Sequence, residues 1–222
     1  MKEFLFVIIM IFLVGTTATY AQEMTDGIKK EMNKKAGKNA RKEAKRYKKE
    51  GWEVAMGALP IEKQFSRAYM MEYDVEDNGL PKFVTGEAMS IGEHYDAAKM
   101  QALQLAKQNL AGKIQTEVSA LVEGLVVNKQ LTVDEVTSLL ETTKTSKALI
   151  SQNLGHILTI TEMYRTLENG SKEVLVRVAY NNGFAMEAAK LTIRQSMKAK
   201  GDDLSGKLDS VLEHMVNQYM DK

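Results

Sequence analysis

The chain has 222 residues, of which 44% are hydrophobic and 27% are charged, with 15 Gly, 2 Pro and no Cys. This composition excludes a collagen-like, disulfide-stapled or low-complexity protein, and the length allows one or two domains with a sizeable core. The formal net charge of +1 favours neither a nucleic-acid-binding protein nor an acidic disordered one. We therefore expect a mostly ordered globular chain.

Residues 1–21 have the layout of a secretory signal peptide. A basic residue precedes the apolar run Phe4–Val14, and small and polar residues follow it. Such a run is too short for a bilayer span, which takes about twenty residues. Thr19 and Ala21 fit the minus-three and minus-one positions of a cleavage site, so we expect a mature chain that begins at Gln22. Because Gln22 is not a cysteine, the bacterial route of lipid attachment is excluded.

The absence of cysteine suits an oxidising compartment, since the chain offers no thiol to oxidise. Together with the signal-peptide pattern, this predicts export to the periplasm or the outer-membrane periphery, or secretion.

Residues 22–50 form a basic leader in an otherwise slightly acidic chain. The leader carries eleven Lys or Arg and five acidic residues, whereas the chain from residue 51 onward carries 18 basic and 23 acidic ones. Its many helix-forming residues, with Gly51 as a terminating residue, predict an exposed helix. A narrow apolar stripe could lie against the body of the protein or a partner, and consists of Ile28, Met32, Ala36, Ala40, Ala44 and Tyr47.

Two interpretations of the basic leader stay open from sequence. It either docks on an anionic surface, such as lipid headgroups or cell-wall polymer, or is a solvated, partly frayed leader whose lysines bind nothing specific. Nucleic acid is an unlikely partner, because the segment lacks interleaved aromatic residues. The candidate surface-anchoring residues are Lys34, Lys35, Lys38, Arg41, Lys42, Lys45, Arg46, Lys48 and Lys49.

The pattern after the leader begins with a short strand-like piece at Trp52–Ala55. Pro60 then opens a helix that runs to about Tyr73, because a proline lacks the N–H that the first helical turn leaves unpaired. A polar turn follows at Asp74–Pro81, and Phe83–Ser90 has the alternating pattern of a strand.

A long helix beginning near Tyr95 is predicted to form the backbone of the core. Ser90 and Glu93 have capping-box spacing before it, and Thr132 and Glu135 form a second box that opens a helix running to about Ile150. The long helix has an apolar stripe made of Leu103, Ala106, Leu110, Ile114, Val118, Leu121 and Leu125.

Two strands, Ile157–Leu167 and Glu173–Tyr180, are predicted next, joined by the Asn-Gly turn of Glu168–Ser171. Helices are expected over Phe184–Lys200 and Asp203–Tyr219. The fold class is therefore α+β: a small antiparallel sheet, covered on one face, packed against a long alanine-rich helix pair, with helical N- and C-terminal extensions. The predicted organisation is a signal peptide (1–21), a basic helical leader (22–50), an α+β domain (51–181) and C-terminal helices (182–222).

The sequence contains no recognisable catalytic constellation. His94, His156 and His214 are far apart and lack a second ligand at zinc-site spacing. The stretch from Asp74 to Gly79 imitates half of a calcium loop, but the required glutamate at its twelfth position is Thr85, so we interpret it as a polar turn. We therefore expect an enzymatically inactive protein with no catalytic residues, no cofactor and no metal site.

Two further patterns carry open interpretations. Among the 14 methionines, a set comprising Met70, Met71, Met186, Met197, Met215 and Met220 could line an adaptable binding surface or simply fill the core. Asp209-Ser210-Val211 resembles a short O-glycosylation acceptor motif of Bacteroidetes, and the sequence does not tell whether Ser210 is modified.

Residues 83–181 resemble a known family. Gly86-Glu87-Ala88, followed by the alanine-rich run from Tyr95 to Ile114 and the paired strands that hold Tyr164 and Tyr180, is similar to the lipoprotein-20 family and the amino-terminal domain of flagellar assembly protein T. The resemblance implies a cell-envelope module without enzymatic activity that acts through protein contacts. This chain lacks the family's lipobox cysteine.

A second resemblance covers nearly the whole chain. The phrases Lys49–Val54 and Ala58–Gln64 look like those of exported Bacteroidetes proteins of uncharacterised function. This similarity implies export without pointing to an activity.

Two classes of function are compatible with these patterns. The favoured one is an exported, non-catalytic cell-envelope protein whose module binds another envelope protein or itself, with the basic leader as an anchor to an anionic membrane or cell-wall surface. The alternative is an extracytoplasmic hydrolase of a cell-wall or polysaccharide substrate, in which the sheet would bring carboxylates such as Glu87 and Glu162 together as acid and base. A further alternative is a protein that binds a small apolar ligand between its helices and sheet.

Overall fold

The computed structural model describes residues 30–127, 133–199, 210, 212–214, 216, 217 and 219. The fold is mixed α+β, which confirms the predicted class. In chain order the elements are α1 (residues 30–49), α2 (Ile61–Tyr73), β1 (Phe83–Gly92), α3 (Tyr95–Val127), α4 (Val133–Thr145), α5 (Lys147–Asn153), β2 (Leu158–Thr166), β3 (Lys172–Asn181) and α6 (Asn182–Ala199). The described residues from 210 to 219 are also helical. The predicted signal peptide lies outside the described residues.

The three strands form one antiparallel sheet in the order β1-β3-β2. β2 and β3 are joined by the predicted hairpin, in which Gly170 has φ 83°. A glycine is suited to this turn because it adopts a positive φ without steric cost. The predicted hairpin is therefore confirmed, and β3 lies in the middle of the sheet.

The inner face of the sheet packs against α3. The helix buries a residue at every fourth position from Ala98 to Val122, and the smallest of these, Ala98, Ala102 and Ala106, lie over β1 and β3. Gly86 of β1 lies against the same helix, since a Cβ at this position would be 2.7 Å from the Leu110 Cβ. Small side chains on both elements thus let the helix approach the sheet closely.

The buried stripe of α3 differs from the predicted one at Leu103 and at Leu121, which is half-buried beside the fully buried Val122. The side chain of Leu125, the last predicted member, lies outside the described part of the structure. Leu103 has 37% of its surface exposed, while the neighbouring Ala102 is fully buried. A leucine cannot occupy the narrow space over the sheet, so the helix presents its alanines there and turns Leu103 outward. Ala106, Leu110, Ile114 and Val118 are buried as predicted.

The outer face of the sheet is also covered, which corrects the expectation of a single covered face. Helices α1 and α2 lie on this face and form a second apolar cluster with it. The cluster consists of Ala40, Ala44, Trp52, Ile61, Phe65, Met163 and Leu175. Alternate residues of the central strand point to opposite faces, so Leu175 needs an apolar cover just as Val174 and Val176 do on the inner face.

Two predicted helix boundaries also differ. Ser90 is not a helix cap, because β1 continues to Gly92 and the Ser90 hydroxyl donates to the Gln101 side chain at 2.7 Å. The helix expected to reach Ile150 is divided at Ser146, whose backbone N–H and hydroxyl both donate to the Thr143 carbonyl oxygen. Thr132, the predicted cap of α4, lies outside the described residues.

Helix α6 joins the inner core with α3. Its buried side chains share one apolar cluster with the described part of the helix that follows, where Leu212, Val216 and Tyr219 are buried.

Within the described residues, no helix combines the length and the apolar character that a membrane span needs.

Candidate functional site

The basic helix α1 is fixed to the body of the protein by its alanine stripe. Ala36, Ala40 and Ala44 are almost completely buried, and Ala40 and Ala44 contact the outer-face cluster. All nine candidate anchoring residues are exposed. Ala40, Ala44 and Tyr47 of the predicted stripe thus lie against the protein itself, which is one of the two locations that the sequence left open. Ile28, the first member of that stripe, lies outside the described residues.

Seven of the nine candidates, six lysines and Arg46, project away from the sheet. At 3.6 residues per turn, their positions lie within about 60° of the direction opposite the buried alanines. We call the six lysines of this set the lysine face, and they are Lys34, Lys35, Lys38, Lys42, Lys45 and Lys49.

Ion pairing separates the two arginines of α1 from its lysines. Arg41 pairs with Glu62 of α2 at 3.1 Å, and Arg46 lies 3.7 Å from Glu43 and 4.0 Å from Glu50. No ion pair within the described part of the chain involves a lysine of the lysine face. Arg41 therefore links α1 to α2, and Arg46 pairs with carboxylates of α1 and its C-terminal end, while the charges of the lysine face have no carboxylate partner among the described residues.

A polar network beneath α1 joins the helix to the sheet. The Tyr69 hydroxyl donates to Glu43 of α1 at 2.5 Å, and Arg177 of β3 pairs with Glu87 of β1 at 2.5 Å and with Glu43 at 3.9 Å. Burial and the hydrogen bond to Glu43 raise the pKa of Tyr69 above its usual value. Burial alone would lower the pKa of Arg177, but the charge and hydrogen bond of Glu87, together with the charges of Glu43 and Glu72, outweigh burial and raise that pKa.

Aromatic packing holds the C-terminal end of α1. The Tyr47 ring stacks on Phe65 at 5.4 Å and meets Trp52 edge-on at 5.5 Å. The chain turns back at Gly51, where φ is 81°, and the Trp52 N–H donates to the Tyr47 carbonyl oxygen. Gly51 thus ends the helix, as the sequence predicted.

Glu87 and Glu162, the carboxylates of the hydrolase alternative, lie on opposite faces and opposite edge strands of the sheet. Glu87 is on the outer face in its pair with Arg177. Glu162 is on the inner face, where it pairs with Lys99 at 2.8 Å and accepts the hydroxyl of Tyr95. Burial, together with this hydrogen bond, raises the pKa of Tyr95. The two carboxylates therefore do not share a cleft.

The histidines and the calcium-like stretch do not form a metal-ligand cluster within the described part of the chain. The three histidines are exposed, and the described residues contain no cluster of three or more metal-type ligands. The calcium-like stretch is a turn, in which the Asn78 side chain accepts the Leu80 N–H and Gly79 has φ 82°. Ser210 is exposed and helical, whereas both of its neighbours in the acceptor motif lie outside the described residues.

The methionines divide between core and surface. Met186 and Met197 are buried in the inner core, and Met70 is exposed beside an open groove of about 620 Å³. The groove lies between the start of α1, the end of α2 and the turn that follows α2, not between helices and sheet. Met215 and Met220 are outside the described residues.

Comparison with known proteins finds no relative that would indicate a family or an activity. No family model, curated protein or solved structure matches this chain.

Sequence reasoning missed the network that fixes α1. The pairing of Glu87 with Arg177 depends on the register of β1 against β3, in which these residues lie directly opposite each other. A signal existed in retrospect, because Glu43 interrupts a run of basic residues next to the alanine stripe, where it reaches Tyr69.

Proposed function

We propose that the protein is an exported, non-catalytic envelope module that binds anionic membrane surfaces through the lysine face of α1. One observation carries this proposal: six exposed lysines without ion pairs in the described part of the chain lie on one side of a helix that is fixed to the domain. A solvated leader would not need the alanine stripe, the aromatic contacts and the Glu43 network that hold α1 in one orientation.

The charge density of α1 suits a flat anionic surface. Residues 30–49 contain ten basic and two acidic residues. A helix of this length extends about 30 Å, so its charges lie in a row that several lipid headgroups can contact together. Each lysine held near an anionic bilayer contributes about 1 kcal/mol to binding.

The contact is expected to be electrostatic, without insertion into the bilayer. An amphipathic helix that inserts needs a free apolar face. The apolar face of α1 is already buried against Phe65 and Leu175. Membrane binding should therefore weaken steeply with added salt, because the Debye length falls from about 10 Å at 0.1 M to 3 Å at 1 M.

Export and the absence of catalysis rest on the sequence patterns. The signal-peptide layout of residues 1–21 supports export, and the resemblance of residues 83–181 to lipoprotein-20 and flagellar assembly protein T supports an envelope module. The absence of catalysis is also supported by the separation of Glu87 from Glu162, the example pair of the hydrolase alternative, on opposite faces of the sheet.

The test is co-sedimentation of residues 22–222, which retain every described residue, with lipid vesicles over a salt series. Vesicles of phosphatidylglycerol in phosphatidylcholine are compared with phosphatidylcholine alone. The test variant changes five lysines of the lysine face to glutamine: Lys35, Lys38, Lys42, Lys45 and Lys49. The matched control makes the same change at five exposed lysines on other elements: Lys63, Lys113, Lys144, Lys147 and Lys198.

We expect the wild type and the control variant to bind anionic vesicles at low salt and to be released at high salt. The lysine-face variant should lose most of its binding. Equal binding by the two variants would refute a role for α1, because both lose the same net charge. Binding to isolated cell-wall polymer with none to vesicles would refute the membrane as the partner.

A further inference from the structure

The open groove beside Met70 has the size and the lining of a binding site. Its volume of about 620 Å³ lies within the range of about 300 to 1,000 Å³ that ligand sites occupy. Two of its side chains are exposed apolar residues, Met70 at 47% and Val75 at 50%. The rest of its apolar lining comes from Met32, Ala36 and Tyr73. Because methionine adapts its shape to its neighbours, this lining suits the apolar side chains of a partner.

The walls of the groove are held in place by hydrogen bonds of the fold. In the turn that follows α2, the Glu76 N–H donates to the Leu80 carbonyl oxygen at 2.8 Å. The Asn39 side chain donates to the Tyr73 hydroxyl at 3.5 Å, and this bond links α1 to the end of α2. The groove is therefore formed before a partner arrives, so binding does not have to order its walls.

The groove carries negative charge beside its apolar lining. Asp74, Glu76 and Asp77 line it, and no Lys or Arg does so among the described residues. None of these three carboxylates forms an ion pair within the described part of the chain. Opposite charges across an interface steer the partner and select it. The partner should therefore carry basic residues next to its apolar ones.

The basic surface of a second copy of this chain meets only one of these two requirements. Its lysine face supplies positive charge, but the exposed residues of α1 include no apolar one that could enter the groove. Apolar grooves bounded by helices bind amphipathic helices, whose apolar side enters the groove while charged residues beside it contact the rim. The occupant that satisfies both the lining and the charge is thus a basic amphipathic helix.

We propose that this groove binds an amphipathic helix of another protein in which lysine or arginine residues flank the apolar side. The α1 residues that line the groove, Met32, Asn33 and Ala36, lie on the side of the helix opposite the lysine face, since successive residues are about 100° apart. The groove is therefore a separate surface from the lysine face, and it does not depend on the proposed membrane function.

Fluorescence anisotropy of labelled peptides with residues 22–222 tests the proposal. The probe is a peptide of leucine and lysine residues, spaced as an amphipathic helix of about four turns. Two peptides of the same spacing serve for comparison: one has glutamate in place of every lysine, and the other has serine in place of every leucine. We expect the leucine–lysine peptide to bind, the glutamate peptide not to bind, and the serine peptide to bind at least tenfold more weakly, as an order of magnitude.

A methionine variant tests whether the peptide occupies the apolar lining. Met70→Ser removes apolar surface from the groove and should weaken binding of the leucine–lysine peptide about tenfold. Met100→Ser is the matched control, because Met100 is 72% exposed on α3 and does not line the groove. It should bind as the wild type does. Circular dichroism verifies that both variants are folded.

A charge variant tests the role of the carboxylates. Glu76→Gln with Asp77→Asn removes two carboxylates of the groove and should weaken binding about fivefold, with the difference disappearing at high salt. The matched control is Glu93→Gln with Glu168→Gln, which removes two exposed carboxylates elsewhere in the chain. Because both double variants lose the same charge, a general attraction of the peptide to an acidic protein would affect them equally.

Failure of the leucine–lysine peptide to bind residues 22–222 would overturn the proposal, including the case in which residues 22–29 themselves fill the groove. Equal affinities of the groove variants and their controls, or equal binding of the lysine and glutamate peptides, would overturn it as well. A wild type that sediments as a dimer and that Met70→Ser converts to a monomer would make a second copy the occupant, contrary to the proposal. None of these results bears on the lysine face, since vesicle binding is measured separately.

Discussion

Gly86→Ala should be strongly destabilising, although it adds a single methyl group. A Cβ at Gly86 would lie 2.7 Å from the Leu110 Cβ and 2.8 Å from the Leu110 backbone nitrogen. The first distance is about 0.7 Å short of the 3.4 Å at which ordinary contact begins. Because the obstacles include the α3 backbone, no side-chain rotation can relieve the clash, and the helix itself must move. Overpacking of this kind costs about 1 to 3 kcal/mol, and the upper end applies here.

The assay is thermal and urea unfolding of residues 22–222 with the wild type and two alanine variants. A loss of about 3 kcal/mol corresponds to a decrease in Tm of about 6 to 12 °C for a chain of this size. Gly37→Ala is the matched control, because Gly37 lies within α1 and has no atom within 4 Å of its Cβ position. It should stabilise the protein by about 0.5 to 1 kcal/mol, since alanine is the better helix former. Equal stability of Gly86→Ala and the wild type would refute the close approach of α3 to the sheet.

Two pH dependences are also expected. Tyr69, Tyr95 and Tyr219 each donate a hydroxyl to a carboxylate. Burial, together with this hydrogen bond, raises the pKa of each tyrosine above 10.0. Their contribution to the free energy of unfolding should therefore be complete below pH 10 and be lost as the pH rises further. Unfolding titrations should show a smaller alkaline loss in Tyr69→Phe, and an unchanged loss would contradict this reasoning. Hydrogen bonds from Arg194 and Lys190 lower the pKa of Glu213 below 4.5, so Glu213 should stabilise the protein above pH 4.5 and lose this effect in more acidic solution. Glu213→Gln should therefore be less acid-sensitive than the wild type, and an identical acid transition would exclude this role.

Local sequence patterns predicted most elements of the fold. The helix that follows Pro60, the Asn-Gly hairpin and the long helix from Tyr95 all follow from periodicity and turn residues over short stretches. The exposed position of Leu103 did not follow, because it depends on how closely α3 approaches Gly86 across the sheet. Helical periodicity identifies which side of a helix is buried. Contact with another element decides which residue lies at the centre of that side.

The composition of the candidate site could be predicted from the sequence, but the arrangement of its residues could not. The excess of lysine and the alanine stripe of α1 were visible in the sequence. The covering of the outer face depends on the distant residues Phe65 and Leu175, and the network at Glu43 requires the register that places Glu87 beside Arg177. These contacts link residues far apart in the chain, and no local pattern encodes them.

Hydrogen exchange of α1, with and without anionic vesicles, tests most directly whether the lysine face is a preformed and fixed surface. We predict that the amides of Ala40 and Ala44 are protected without vesicles to nearly the same degree as those of Leu175 in β3, because all three residues belong to one buried cluster. Rapid exchange throughout α1 in solution, slowed only when anionic vesicles are added, would contradict a fixed lysine face. That result would mean that the basic segment folds on the membrane and that the domain does not hold it in place.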